Sequence, residues 1–168
     1  MKAFLIGYMG SGKSKVAEAL GKILELPVIH TDKIVEETEG KTISEIFSTS
    51  GQEHFRELEK NALHSLADNN NVVVSTGGGL PCYFDNMEYM NAVGITVYLE
   101  ASPGLLFHRL SNNRAGRPLI KNLNDVELME QISGHLAVRS HFYKKAQISI
   151  NAASLNVKSL AEMILKKK

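Results

Sequence analysis

The chain has a single cysteine, Cys82, in 168 residues, so neither an internal disulfide nor a cysteine-rich zinc site can form. A domain that needs no such staple fits a reducing compartment. Charge of one sign is also lacking: 19 Lys and Arg oppose 18 Asp and Glu, for a net charge of +1. A dedicated nucleic-acid binder carries a basic excess on one face, which this balance argues against. Long apolar runs are missing too, and no stretch approaches the roughly 18 apolar residues of a membrane span. The opening segment MKAFLIGYMG breaks at Gly7, too early for the apolar region of a secretory signal. The expectation is one cytoplasmic domain over residues 1–168, a monomer with no nucleic-acid or membrane partner. What is present is ordinary: 43% hydrophobic and 22% charged residues, enough to bury one core.

Short apolar runs alternate with longer amphipathic ones. Strands are expected at 3–6, 27–30, 72–75, 95–99 and 148–150. Helices are expected at 14–24, with Val16, Ala19, Leu20 and Ile23 inward, and at 33–39, ending at Gly40. A long helix follows Gly51, with Phe55, Leu58, Ala62 and Leu66 at helical spacing, and dissolves at Asn69-Asn70-Asn71. Further helices cover 86–92, a stretch opened by Pro103, 125–144 and 157–167, and Thr42-Ile43-Ser44-Glu45 reads as a capping box. Five strands separated by helices imply an α/β fold with a mostly parallel sheet covered on both faces. Ligands of such folds bind beyond the carboxyl ends of the strands, where every motif below falls.

The segment Gly7-Tyr8-Met9-Gly10-Ser11-Gly12-Lys13-Ser14 matches G-x-x-x-x-G-K-[ST], with a strand before it and a helix after it. Glycines let the backbone curl so that its N–H groups point at phosphate oxygens, and the helix start adds its positive end. Lys13 then reaches the β and γ phosphates, and the Ser14 hydroxyl serves as a magnesium ligand. By chance the pattern arises in roughly one such chain in two hundred at background composition. A phosphate loop alone does not separate a kinase from a switch protein or an ATPase.

The remaining motifs are T-D after the second strand, F-R-E-L-E on the long helix and S-T-G-G-G after the third strand. R-P-L in the polar segment and the Arg of A-V-R-S-H-F-Y complete the set. In this order and spacing the chain resembles the shikimate kinase family over essentially its whole length. The resemblance implies a P-loop kinase fold with a five-stranded parallel sheet and a mobile lid at about 111–124. It also implies transfer of the ATP γ-phosphoryl group to the 3-hydroxyl of shikimate, with Mg²⁺, in the pathway to chorismate and the aromatic amino acids. Carried over residue by residue, it assigns Gly10, Ser11, Gly12, Lys13, Ser14 and Lys15 to ATP. Arg109 is placed near the adenine and Arg117 in the lid. Asp32 holds the acceptor's hydroxyls and is positioned to take the reacting proton. Arg56 and Arg139 grip its carboxylate, and Gly77, Gly78 and Gly79 approach it with bare backbone.

Each assignment has a plainer rival. Arg56 can pair with Glu53 or Glu59 on an exposed helix face. Asp32 or Thr31 can cap the next helix, and the glycine triplet can be a tight turn before Leu80-Pro81. The polar segment, with Arg114, Gly116, Arg117 and Pro118, can be a solvated loop, the reading kept for Arg114. Cys82 reads as a small buried side chain. The sequence also departs from the family's D-x-D after the second strand, having His30-Thr31-Asp32 instead. An imidazole brings no negative charge, so weaker magnesium binding is expected. Other readings are a gluconate-type or nucleoside monophosphate kinase, or a catalytically weakened nucleotide-binding regulatory protein, for which His30 is the one hint.

Overall fold

β-Branched and apolar runs become five strands of one sheet: β1 (Lys2–Ile6), β2 (Val28–His30), β3 (Val72–Ser75), β4 (Ile95–Glu100) and β5 (Ile148–Asn151). The computed structural model describes residues 1–114, 117 and 119–167. Gly116 and Pro118 of the expected lid, and the terminal Lys168, lie outside the described residues. The sheet is parallel throughout, in the order β2-β3-β1-β4-β5. Seven helices among the described residues connect and cover the strands: α1 (Lys13–Leu24), α2 (Thr31–Glu39), α3 (Ile43–His64), α4 (Asn86–Val93), α5 (Pro103–Ser111), α6 (Asp125–Tyr143) and α7 (Val157–Lys166).

Strand alternation splits the core between the two faces. Ala3, Leu5, Val73 and Val97 pack with Leu20 of α1 and with Leu160 and Ile164 of α7. Phe4, Ile6, Val72 and Val74 pack on the opposite face with Leu63, Met87, Met90 and Tyr143. Full burial of each large apolar side chain is worth about 1.5–3 kcal/mol. Both faces of β1 are therefore sealed, and its carboxyl end, where the phosphate loop begins, is fixed by the interior of the molecule.

Three expectations need correcting. In α1 the buried residues are Lys13, Ala17, Leu20 and Gly21, whereas Ile23 is 44% exposed and Ala19 half-buried. Gly21 lies flat on β2, where a Cβ would collide with Val28, and this close approach sets the helix rotation. Next, α2 starts at Thr31 rather than Lys33, so Thr31 and Asp32 form its first turn and His30 is the residue before it. The long helix does follow Gly51, where non-helical backbone (φ 80°, ψ 175°) separates it from a helical segment that starts at Ile43, but it ends earlier than expected, at His64. Thr42 and Glu45 form the expected capping box. In the polar segment Ile120 is fully buried beside Leu106, Leu110, Leu128 and Ile132.

Candidate functional site

The carboxyl ends of β1, β2 and β3 open into one cleft of about 940 Å³. Every residue that the sequence assigned to ATP or to the acceptor lines it, from Gly10–Lys15 through Asp32, Arg56, Gly77–Gly79, Arg109 and Arg117 to Arg139. The sheet order places β3 between β2 and β1, so Asp32 stands one strand away from the phosphate loop rather than beside it. It still faces Lys13 across the cleft closely enough for the two charges to interact.

The loop has the backbone its glycines permit. Gly10 and Gly12 have φ of 86° and 104°, values costly for any side chain with a Cβ. Lys13 is buried, and its Nζ donates to the carbonyls of Gly7 (2.8 Å) and Tyr8 (3.0 Å). Burial pushes its pKa down to about 8, with Asp32 opposing the shift and Arg117 and Arg139 adding to it. Ser14 and Lys15 are exposed at the cleft. Arg109 donates to the carbonyls of Gly10 (3.2 Å), Ser11 (2.9 Å) and Ala152 (3.4 Å), bracing the loop against the segment after β5.

Across the cleft, Arg56 pairs with Glu59 one turn along α3. That pair was the plainer rival for Arg56, but the helix face holding it is buried, with Arg56 8% and Glu59 2% exposed. The Arg56 guanidinium also lies 4.2 Å from the Tyr83 ring centroid. Burial pushes the Glu59 carboxyl up to about 7 even against the nearby arginine. The Asp32 carboxyl is likewise raised by burial, with Lys13 as the main counterweight. Arg139, on α6, is half-buried with its guanidinium 5.7 Å from the Tyr8 ring centroid.

Each glycine of the triplet is small for its own reason, and the reason is protein. A Cβ on Gly77 would stand 2.5 Å from Glu59 Oε1 and 2.7 Å from Asp32 Oδ1. On Gly78 it would press the phosphate-loop backbone, at 3.2 Å from Met9 N. On Gly79 it would collide with the Arg56 guanidinium. The triplet therefore keeps the acidic, phosphate and guanidinium sides of the cleft in close register. Thr31 contributes here, since its Oγ1 accepts from Gly77 N at 3.0 Å and it is no helix cap.

Arg114 is not the residue of a plain solvated loop expected from the sequence. Arg114 donates to Asp125 Oδ1 and the Leu123 carbonyl, both at 2.6 Å, pinning the segment to the start of α6. Arg117 faces the cleft half-buried, and burial lowers its pKa. His30 lines the cleft while its Nε2 sits 3.0 Å from Glu18 Oε1, a partner not expected from the sequence. Cys82 is half-buried rather than buried, and desolvation lifts its thiol to about 11.

Sequence reasoning missed Tyr8, Gln131, His135 and Tyr143. The Tyr8 hydroxyl lies 2.9 Å from His135 Nδ1, and Tyr143 donates to the Gly78 carbonyl at 2.6 Å. Only the i, i+4 spacing of Gln131, His135 and Arg139 on one helix face could have pointed to them.

The donor set suits a polyphosphate and a small anion together. Ser11 Oγ, Arg56 Nε and Arg117 Nε are buried polar atoms with no partner among the described residues. Buried polar groups in native sites are ordinarily paired, and the three residues that carry these atoms all line the cleft.

The family model for shikimate kinase matches residues 9–167. The shikimate kinase of Bacteroides fragilis is 45% identical over 162 residues, covering 96% of this chain and 90% of that one. A solved shikimate kinase from Bacteroides thetaiotaomicron superposes with a TM-score of 0.91 at 42% identity, covering 99% of this chain and 97% of that one. One from Acinetobacter baumannii, solved in complex with shikimate, gives 0.84 at 29% identity, covering 99% and 91%. With the phosphate loop, the paired arginines and the glycine triplet gathered in one cleft, the chain belongs to the shikimate kinase family.

Proposed function

We propose that this protein transfers the γ-phosphoryl group of ATP to the 3-hydroxyl of shikimate, giving shikimate 3-phosphate and ADP on the route to chorismate. The observation that carries the reading is one cleft with the phosphate loop and Lys13 on one side and Arg56, Arg139 and Asp32 on the other. Such an arrangement brings two anionic substrates together in line, and positioning supplies much of the catalysis in phosphoryl transfer.

In this reading the phosphate-loop N–H groups, Ser11 and Lys13 hold the β and γ phosphates. Arg117 closes from the polar segment to balance charge on the transferring group. Arg109 stays near the adenine side while bracing the loop. Ser14 would hold Mg²⁺, which when bound would neutralise phosphate charge. Arg56 and Arg139 grip the acceptor's carboxylate, for which a guanidinium provides a fork that lysine lacks. Gly77–Gly79 border the acceptor. Asp32, its carboxyl raised by burial, accepts the 3-hydroxyl proton as the new O–P bond forms and the bond to ADP breaks.

All of these side chains come from one chain, and we expect it to act as a cytoplasmic monomer without nucleic acid or membrane. The deciding experiment is an ADP-release assay across a panel of hydroxy acids. ADP release should depend on shikimate and not on gluconate or nucleoside monophosphates. Equal release with gluconate, or none with any acceptor, would overturn the reading.

A further inference from the structure

Among the polar side chains that line the cleft without a role above is His135. It stands on α6 one turn before Arg139, and both line the cavity. Its Nδ1 is 2.9 Å from the hydroxyl of Tyr8, a residue of the phosphate loop 3% exposed to solvent. Burial raises the phenol pKa, so the Tyr8 oxygen keeps its proton. With that proton donated to Nδ1, the neutral imidazole is the Nε2–H tautomer. Nε2 has no partner among the described residues.

We propose that His135 is a further acceptor-binding residue, presenting its Nε2–H to the carboxylate that Arg56 and Arg139 attract. The inference rests on the proposed shikimate kinase reading. It gives the carboxylate end of the cleft three donors from two helices, a charged pair and a neutral tip held in direction by Tyr8. A neutral donor at that place suits a site already crowded with cations. Burial, Arg139 and Arg56 all lower the His135 pKa. The groups facing this end are Arg139 and His135 on α6, Arg56 and Glu59 on α3, Asp32 on α2, Tyr8 and Lys13 of the loop, and Cys82 and Tyr143. A bound carboxylate offsets the two arginines, so shikimate binding should favour protonation of His135. Affinity should then rise as the pH falls below neutrality.

The test is calorimetric binding of shikimate, its methyl ester and ADP to the parent, His135→Leu and His135→Gln. His135→Leu should lose about tenfold in shikimate affinity, the scale of one partly solvated charge-assisted hydrogen bond. Its affinity for the methyl ester and for ADP should hold, and its preference for shikimate over the ester should shrink. His135→Gln keeps an N–H near the same point and should recover most of the loss. The parent should bind shikimate more tightly at pH 6 than at pH 8 by a margin that His135→Leu reduces. Glu59 and Asp32 are common to both proteins, so the difference isolates the imidazole. Equal loss of ADP and shikimate in both variants would mean that His135 only props Tyr8, and the inference would be wrong. A folded His135→Leu protein that matches a shikimate-binding parent also sinks it. A parent that binds no shikimate sinks the reading of function and this inference with it.

Discussion

Two arginines with the same proposed partner stand in different surroundings, and their variants should separate accordingly. Arg56→Ala and Arg139→Ala should both raise the KM for shikimate, each losing about 2–4 kcal/mol of acceptor binding, with ATP binding nearly unchanged. Only Arg56→Ala should also lower the melting temperature. It leaves Glu59 buried without its guanidinium, whereas Arg139 is half-buried with no carboxylate partner among the described residues. Steady-state kinetics beside thermal melts would show this, and an unchanged melt in Arg56→Ala would remove the pair from the stability account. Glu59 offers a pH test. Its carboxyl is lifted from 4.5 to about 7 by burial, so between those values the folded state holds a proton that the unfolded state has released. Stability from this group is thus fully present below pH 4.5 and is lost as the pH rises to about 7. Denaturant titrations should show a decline across that window that is shallower in Glu59→Gln. The motif F-R-E-L-E made both residues visible in the sequence, but not their burial, because an i, i+3 ion pair looks the same on a wet face as in a cleft. His30 was legible as a departure, while its contact with Glu18 was not, since that contact depends on how α1 sits against β2.

At the scale of elements, periodicity located nearly every helix and strand, and its failures share a cause. Where local pattern alone set a boundary, as in β3 or the Thr42 capping box, the expectation held. Where a tertiary contact decided, it did not. The rotation of α1 follows from Gly21 against Val28, and the early start of α2 puts Thr31 under Gly77. The kink in α3 falls at Gly51, after which the sequence pattern places the long helix. Gly51 adopts φ 80° and ψ 175°, a region essentially reserved for glycine, and divides a segment whose two halves both border the cleft, through Ile43 and Phe47 before it and Phe55, Arg56 and Glu59 after it. Nothing lies within 4 Å of where a Cβ would sit, so substitution there is a clean probe of backbone strain. Gly51→Ala should cost about 1–3 kcal/mol of stability, measured by denaturant unfolding. A neutral result would mean that the two halves straighten without loss and that the kink is not imposed by the fold.

Across the whole molecule, five strands delivering their carboxyl ends to one edge explain why motifs scattered from residue 7 to residue 139 meet in a single cleft. That convergence was legible from the alternation of strands and helices. The strand order, which sets Asp32 one strand from the loop, was not, because crossover length does not specify which neighbour a strand joins. Convergence also concentrates like charge, with Lys13, Arg56, Arg117 and Arg139 lining the same space. Lys13 bears the clearest mark: burial and the arginines hold its pKa at about 8, well under the usual 10.5. A depressed lysine contributes stability that is present above pH 10.5 and lost as the pH falls through about 8, so at neutrality its charge is a burden on the ligand-free fold. Phosphate oxygens would relieve it, which couples nucleotide binding to folding. Lys13→Met should therefore abolish phosphoryl transfer while remaining folded, because the glycines shape the loop. Without ligand at pH 7 its melting temperature should equal or exceed the parent's, each kcal/mol gained appearing as about 2–4 °C for a domain of this size. ATP should raise the melting temperature of the parent much more than that of Lys13→Met. Paired thermal melts with and without ATP would decide the matter. A variant that melts well below the parent would show that the two bonds from Nζ to Gly7 and Tyr8 outweigh the cost of burying the charge.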